Sequence, residues 1–298
     1  MTIAVPEGRI ASRRVDAIGI VEEIGFVDSG GGQMFSALHR PEGPSSASVL
    51  ICAPIQAEQL RNYRREVLLA RELARHGLSV QRFHYRGSGN SDGSPADVTF
   101  ESMVEDARTA MRLLQDRTDG AIALVGTRLG ASVAAIVGRE AGARALAVWE
   151  PIANTDRYFR EIFRGRLVSE LKHGESHGGR SPIDELRRSG QLDILGYSID
   201  LPLYESVIAR RPSDDLAEVP PHVLIVQIGG SSSLRADYRT LVSGWEERGA
   251  TVLIHRLEGA EPWWFGSAPD IANEEPDRAH EMVEVTSAWM LPAVATRA

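Results

Sequence analysis

Cysteine is nearly absent from this sequence, because Cys52 is the only one among 298 residues. A chain with one cysteine cannot form a disulfide within itself, and this favours a cytoplasmic protein. Long hydrophobic runs are also lacking, because no apolar stretch is as long as the roughly 18 residues that a transmembrane helix needs. Residues 1–14 have no apolar core of the signal-peptide type. We therefore expect a cytoplasmic protein without a membrane span, in which Cys52 is either a buried packing residue or a site-lining thiol.

Positively charged residues are fewer than negatively charged ones: the sequence has 33 Lys and Arg residues and 41 Asp and Glu residues, which give a net charge of −8. No basic tract stands out as it does in nucleic-acid-binding proteins, so a small molecule or a protein is the expected partner. His173 and His177 flank a Gly-rich loop, but two histidines without further ligands make a poor metal site. We expect no metal and no cofactor, and the sequence leaves the oligomeric state open.

Strand and helix patterns alternate along most of the chain. Apolar runs of strand type cover 48–52, 78–85, 121–125, 145–149, 222–228 and 251–257, and helical patterns cover 58–75, 102–115 and 129–137. Before them, 23–28 and 33–39 flank Gly30-Gly31-Gly32 in the manner of a β-hairpin. Alternating β and α units of this length predict an α/β fold with a mostly parallel sheet and helices on both faces.

The stretch Gly126-Thr127-Arg128-Leu129-Gly130 joins one of these strands to the helix that follows it. Glycines at its two ends allow a tight turn and a close approach of helix and strand. This is the glycine frame of a nucleophile elbow, a sharp strand-to-helix turn that presents a serine. Arginine occupies the central position here.

The sequence resembles the serine-hydrolase branch of the α/β-hydrolase superfamily in the order of its strands, its Arg86-Gly87-Ser88-Gly89-Asn90-Ser91 turn and its elbow. More narrowly, it resembles the exosortase-associated hydrolases of bacteria. That likeness rests on Ala53-Pro54-Ile55-Gln56-Ala57-Glu58, Arg64-Arg65, Gly126 to Ala131, Trp149-Glu150-Pro151 and Glu261-Pro262-Trp263-Trp264. The resemblance implies an α/β-hydrolase fold with an inserted helical cap that roofs a pocket.

The domain organisation follows from these patterns. Residues 1–18 read as a loose N-terminal extension, and residues 19–153 with 221–298 read as the core. Residues 154–220 separate two strand candidates and have helical patterns, so they are predicted to be the inserted cap.

Two members of a serine triad are missing from their usual places. A guanidinium at position 128 has only donors and cannot attack a carbonyl. The resemblance implies a histidine after the last strand, but the loop from Glu258 to Trp264 contains none. We interpret His255, in the strand, and His280, in the final helix, as structural. Asp237, the one candidate for the orienting acid, is expected in the first turn of a helix instead.

Arg128 lies where the partly positive N-terminus of a helix disfavours a cation. We therefore expect a counter-charge, either a carboxylate from Glu58, Glu150 or Glu261 or an anionic ligand. Alternatively, Arg128 points aside and forms a purely structural pair with one of those glutamates. Glu58 has its own alternative role as a helix-start carboxylate.

Several further residues are assigned to the predicted site. Arg128, Glu58 and Glu261 are the candidate catalytic residues, and the predicted ligand contacts are Ile55, Leu129, Glu150, Trp263 and Trp264. The two tryptophans form either a pocket wall or a packing contact between cap and core. Arg157, Arg160 and Arg164 share one helical face, which is either solvated or a surface for an anionic partner. His84, at a strand end, is interpreted as structural.

Three functions remain open. The first is a non-catalytic α/β-hydrolase-fold protein that binds a small acyl or anionic ligand under the cap. The second is an atypical ester or thioester hydrolase, or an acyl transferase, in which Arg128 stabilises an oxyanion and a glutamate acts as the base. The third is an interaction scaffold without enzymatic activity.

Overall fold

The computed structural model describes residues 11–15, 19–173, 181–194, 196–229, 233–258, 264 and 276–295. Its strands are β1 (Ala11–Val15), β2 (Ile20–Ser29), β3 (Gly32–Pro41), β4 (Ala47–Cys52), β5 (Leu78–Phe83), β6 (Ala121–Thr127), β7 (Ala145–Trp149), β8 (Gln191–Ile194), β9 (Tyr197–Asp200), β10 (His222–Ile228) and β11 (Thr251–Leu257). Its helices are α1 (Gln56–Arg75), α2 (Phe100–Gln115), α3 (Gly130–Glu140), α4 (Thr155–His173), α5 (Pro182–Ser189), α6 (Leu201–Ile208), α7 (Pro212–Asp215), α8 (Ala236–Glu247) and α9 (Pro276–Ala295).

One large sheet has the strand order β1-β2-β3-β5-β4-β6-β7-β10-β11. The six strands from β5 to β11 in that order pair in parallel. In contrast, β2 pairs antiparallel with both β1 and β3, and β3 pairs antiparallel with β5. The predicted mostly parallel sheet is confirmed. Because β4, β6 and β7 are neighbours, their carboxyl ends meet at one edge, where open α/β sheets bind ligands.

Helices cover both faces of this sheet, as predicted. Side chains of α2, α3 and α8, including Phe100, Val133 and Trp245, form an apolar core on one face. Side chains of α1 and α9, including Leu69 and Met282, form the core on the other face. With both faces covered, every residue of β4, β5 and β7 is buried. This burial explains the mostly apolar character of β4 and β7, whereas β5 also buries Ser79, Gln81 and Arg82.

The chain between β7 and β10 forms α4 to α7 and a two-stranded antiparallel sheet of β8 and β9. The sequence predicts only helices there, because strands of four residues are too short to give a clear periodic pattern. Phe159, Phe163 and Tyr204 pack against one another with ring centroids 4.8–6.1 Å apart. These rings belong to the same apolar core as α2 and α3, so the segment is joined to the sheet domain through packing.

The beginning of the chain differs from its prediction as a loose extension. Within residues 1–18, Ala11–Val15 form β1, which pairs antiparallel with Ile20–Ile24 of β2. Main-chain pairing at a sheet edge does not need apolar side chains, so this arginine-containing strand gave no hydrophobic signal. The hairpin of β2 and β3 is confirmed but is longer than predicted. No helix in the described ranges is long and apolar enough to cross a membrane.

Candidate functional site

The turn between β6 and α3 brings Arg128 to the carboxyl edge of the sheet. A Cβ atom at Gly126 would lie 2.5 Å from Cα of Ala131, and one at Gly130 would lie 2.3 Å from the carbonyl oxygen of Cys52. Real Cβ contacts are never so short, so only glycine fits at either position. The glycine frame therefore lets α3 begin directly against the end of β4. The Arg128 N–H donates to the Trp149 carbonyl at 2.9 Å and ties this turn to the end of β7.

Three residues other than glycine have a left-handed backbone in the described structure: Gln56 (φ 56°), Arg128 (φ 52°) and Glu150 (φ 48°). Gln56 follows β4, and the other two come directly after β6 and β7. Such residues cost about 1–3 kcal/mol each and cluster at functional sites. Their occurrence at three neighbouring strand ends marks this edge of the sheet as the candidate site.

The Arg128 side chain is buried, with 3% of its surface exposed. Its Nε donates to Oε1 of Glu58 at 3.0 Å, and its Nη2 donates to Oε2 of Glu161 at 3.4 Å. The guanidinium carbon lies 4.5 Å from the ring centre of Trp264 and 5.1 Å from that of Tyr158, both within cation–π range. Burial by itself would lower the pKa of Arg128, but Glu58 raises it, so the guanidinium keeps its charge.

Glu58 lies in the first turn of α1 and is buried beside Arg128. Both of its carboxylate oxygens are engaged, because Oε1 accepts from Arg128 and Oε2 accepts from the Tyr158 hydroxyl at 3.1 Å. Burial raises the pKa of Glu58, and Arg128 together with the Tyr158 hydrogen bond offsets part of that rise. The structure therefore brings together two of the predicted catalytic residues as a buried ion pair.

Ion pairs continue outward from Arg128 with alternating charge. We call this set the ion-pair network, and its members in order are Glu58, Arg128, Glu161, Arg157, Asp237, Arg235 and Glu150. Beyond Arg128, Nε of Arg157 lies 3.1 Å from Glu161 and its Nη1 lies 3.9 Å from Asp237. Arg235 then joins Asp237, at 3.5 Å, to Glu150. The network links α1, the ends of β6 and β7, and the start of α8 to α4 of the inserted segment.

Glu150, the last member of this network, follows β7 directly and is fully buried. Its Oε2 accepts from the Ile228 N–H at 2.8 Å, while its Oε1 pairs with Arg235. Burial raises the pKa of Glu150, an effect that Arg235 and the Ile228 hydrogen bond oppose. Of the three glutamates predicted as counter-charges, Glu58 contacts Arg128 directly, whereas Glu150 pairs with Arg235 and acts on Arg128 only through space.

The remaining predicted site residues have different placements. Ile55 and Leu129 are buried residues that immediately precede α1 and α3, and Trp264 is buried against Arg128. Among the described residues, no acceptor is placed for the Leu129 N–H, which is a main-chain donor beside Arg128. Glu261 and Trp263 lie outside the described residues. Their predicted roles therefore stay predictions.

Sequence reasoning missed Tyr158, Glu161 and Arg235. Arg157 and Glu161 have the i, i+4 spacing of a helical ion pair, so a signal for Glu161 was present. The interpretation of Arg157, Arg160 and Arg164 as one basic face hides this signal. All three arginines are exposed, but Arg157 also pairs with Glu161 and belongs to the ion-pair network.

The other predicted residues make their contacts elsewhere. His255 faces Glu281 at 3.4 Å, and His280 is exposed on α9. His84 is buried and its Nδ1 accepts from the Asn90 N–H at 3.0 Å, which fits the structural role predicted for it. Cys52 is buried, as the first of its two interpretations predicts. Asp237 lies in the first turn of α8, also as predicted.

The sequence was compared with models of protein families and with proteins of curated function. The family model described as serine aminopeptidase S33 matches residues 30–172, a span that includes Glu58, Arg128 and Glu161. A search among proteins of curated function finds no significant match.

Solved structures match over nearly the whole chain. Est1E from Butyrivibrio proteoclasticus, solved with ferulic acid bound, has a TM-score of 0.62 at 15% identity over 91% of this chain and 100% of its own. Carboxyl esterase 2 from the mycorrhizal fungus Tuber melanosporum has a TM-score of 0.59 at 16% identity over 98% of this chain and 93% of its own. XC6422 from Xanthomonas campestris, described as a serine hydrolase without lid, has a TM-score of 0.53 at 15% identity over 93% and 97%. At these identities the likeness establishes the fold alone.

Proposed function

We propose that this chain, which has the α/β-hydrolase fold, lacks the serine mechanism and binds a small acyl or anionic ligand. The observation that carries the proposal is the buried guanidinium of Arg128 at the position where the fold presents its nucleophile. A guanidinium keeps its proton and has no lone pair to attack a carbonyl. The described histidines contact neither Arg128 nor Glu58, which further supports a site without a triad.

An anionic group on the ligand suits the charges around Arg128. A cation at the N-terminus of α3 is opposed by the helix dipole, so an arginine there is best explained by a carboxylate that it binds. Glu58 supplies one carboxylate on the core side, while the opposite side faces α4 of the inserted segment. We propose that residues 154–220 act as the cap over this ligand. Glu261 and Trp263, predicted from the sequence, belong to the proposed site as well.

The atypical hydrolase is the second candidate, and one observation favours it. The Leu129 N–H lies beside Arg128 without an acceptor among the described residues, so it can serve as an oxyanion donor. Against this candidate, Glu58 is buried in an ion pair with Arg128 and each of its oxygens already accepts a hydrogen bond, so taking a proton from water would weaken that pair. No described contact favours the interaction scaffold over these two.

The proposal is tested by measuring hydrolysis and binding on the same preparations. Wild type, Arg128→Ala, Glu58→Gln and Glu261→Gln are assayed with a panel of activated esters and thioesters, and Arg164→Ala serves as a control because Arg164 is an exposed arginine. Binding of acetate, octanoate and ferulate is measured by calorimetry. We expect no turnover above background, and we expect carboxylate binding that Arg128→Ala abolishes and Arg164→Ala leaves unchanged.

Three results would contradict this proposal in different ways. Turnover by wild type that Arg128→Ala or Glu58→Gln abolishes would establish the atypical hydrolase instead. Recovery of ordinary esterase activity by Arg128→Ser would show that a base survives at this site, which contradicts the absence of a triad. Binding of all three carboxylates unchanged by Arg128→Ala would place the ligand elsewhere.

A further inference from the structure

The two carboxylates that hold Arg128 are not equivalent. Glu58 is buried and lies 3.0 Å from Nε, and the Tyr158 hydroxyl is its other hydrogen-bond partner among the described residues. Glu161 is 27% exposed, lies 3.4 Å from Nη2 and has a second cation, Arg157, at 3.1 Å on the same helix. Glu161 can therefore leave Arg128 and keep an ion pair. Glu58 cannot do so without burying an unpaired charge, which is costly.

The guanidinium also has donors to spare on the side of Glu161. Arginine has five N–H groups in a planar fork, and a carboxylate can bind two of them side by side. Among the described residues, Glu58 takes Nε and Glu161 takes Nη2, and no acceptor is placed for Nη1. The edge formed by Nη1 and Nη2 is thus available for bidentate binding of one carboxylate once Glu161 leaves.

The surroundings of that edge favour a carboxylate with an apolar body. Tyr158 and Trp264 lie within cation–π distance of the guanidinium, and both are buried aromatic side chains. Such rings offer apolar surface, whereas a compact, strongly hydrated anion such as phosphate gains little from them. Arg128 with these two rings therefore favours a fatty or aromatic acid over an inorganic anion.

From these observations we infer that Glu161 occupies the place of the ligand's own carboxylate. A monocarboxylic acid with an apolar body displaces Glu161 from Nη2 of Arg128, and Glu161 then stays paired with Arg157. Displacement also removes the direct ion pair between Arg128 and α4, so ligand binding loosens α4 from the core. This inference rests on the proposed function, because it specifies the ligand class and the internal competitor at the same site.

A first measurement needs no ligand. Hydrogen–deuterium exchange of peptides from α4 is compared between wild type, Glu161→Gln and the control Glu205→Gln, which makes the same change on an exposed residue of the same segment. We expect faster exchange in α4 for Glu161→Gln only. Equal exchange in all three proteins would mean that Glu161 does not fasten α4 to the core, and it would overturn that part of the inference.

The second measurement is calorimetric titration with octanoate, with inorganic phosphate at equal ionic strength as the comparison anion. Because the competing contact is a partly exposed ion pair, its removal in Glu161→Gln should tighten octanoate binding about twofold to fivefold. Glu205→Gln should bind as wild type does, and phosphate should bind more weakly than octanoate to each protein. Equal or weaker octanoate binding by Glu161→Gln would overturn the inference and leave the proposed function standing. Absence of carboxylate binding by every variant would instead refute the proposed function.

Discussion

The buried pair of Arg128 and Glu58 leads to a prediction about unfolding free energy that depends on which partner is removed. Glu58→Gln leaves a guanidinium that cannot lose its charge, held by the partly exposed Glu161 and two aromatic rings. Arg128→Met leaves a buried carboxyl group that can take up a proton, because burial already raises the pKa of Glu58. We therefore expect Glu58→Gln to be the more destabilising of the two substitutions.

The magnitudes follow from what each substitution leaves behind. Removing one partner of a buried ion pair costs about 3–5 kcal/mol, and the remaining contacts of Arg128 favour the lower end for Glu58→Gln. Arg128→Met should cost about 1–3 kcal/mol, the penalty of a buried polar group with one lost partner. In the double variant both charges are gone, so its loss should be smaller than the sum of the single losses by about 2 kcal/mol or more.

Urea unfolding followed by tryptophan fluorescence measures these losses, provided that the slope of the transition is unchanged. For a chain of this size, Glu58→Gln should also lower the melting temperature by roughly 6–10 °C. Glu72→Gln is the matched control on α1, because Glu72 pairs with the half-exposed Arg75 and should matter by less than about 0.5 kcal/mol. A coupling below about 0.5 kcal/mol in the double variant, or a larger loss for Arg128→Met than for Glu58→Gln, would refute the reasoning.

Two further predictions concern the frame around the site. Burial and the neighbouring Arg82 lower the pKa of His84 from 6.5 to about 4, so the stability contributed by its neutral form is present above pH 6.5 and is lost as the pH falls toward 4. His84→Asn can still accept from the Asn90 N–H but does not titrate, so its unfolding free energy, measured by urea titration at several pH values, should fall less between pH 6.5 and pH 4. An equal fall in wild type and variant would contradict this role of His84. Gly130→Ala forces a Cβ to within 2.4 Å of the Cys52 and Ala53 carbonyl oxygens and should cost about 2–3 kcal/mol or more, whereas Gly43→Ala meets no atom within 4 Å and should be tolerated. Equal stability of the two alanine variants by thermal unfolding would show that the turn has room to adjust.

Much of the fold was predictable from the sequence because its signals are local. The apolar runs of β4, β6 and β7 gave the parallel sheet, and the glycines at 126 and 130 located the turn that presents Arg128. The helix dipole at α3 predicted that Arg128 needs a counter-charge, and Glu58 provides it. Each of these predictions depends on a periodic pattern or on the geometry of one turn.

The rest of the site depends on packing between distant parts of the chain, which no local pattern specifies. Glu161 reaches Arg128 only because α4 packs over the carboxyl edge of the sheet, and Arg235 reaches Glu150 only because β7 and β10 are neighbours. The strand β1 is not predicted from the sequence for a related reason. It is held by main-chain pairing with β2, which does not require an apolar pattern in the sequence.

The left-handed backbone shared by Gln56, Arg128 and Glu150 has a consequence for how this architecture can change its chemistry. These three residues have chemically different side chains but the same unfavourable backbone conformation. The conformation is therefore imposed by the edge of the sheet and does not depend on the side chain. Exchanging one non-glycine side chain for another at such a position therefore leaves the free-energy cost of the left-handed backbone nearly constant. A change of side chain at position 128 then alters the free energy of folding through the contacts of that side chain, such as the pair with Glu58, and not through the backbone.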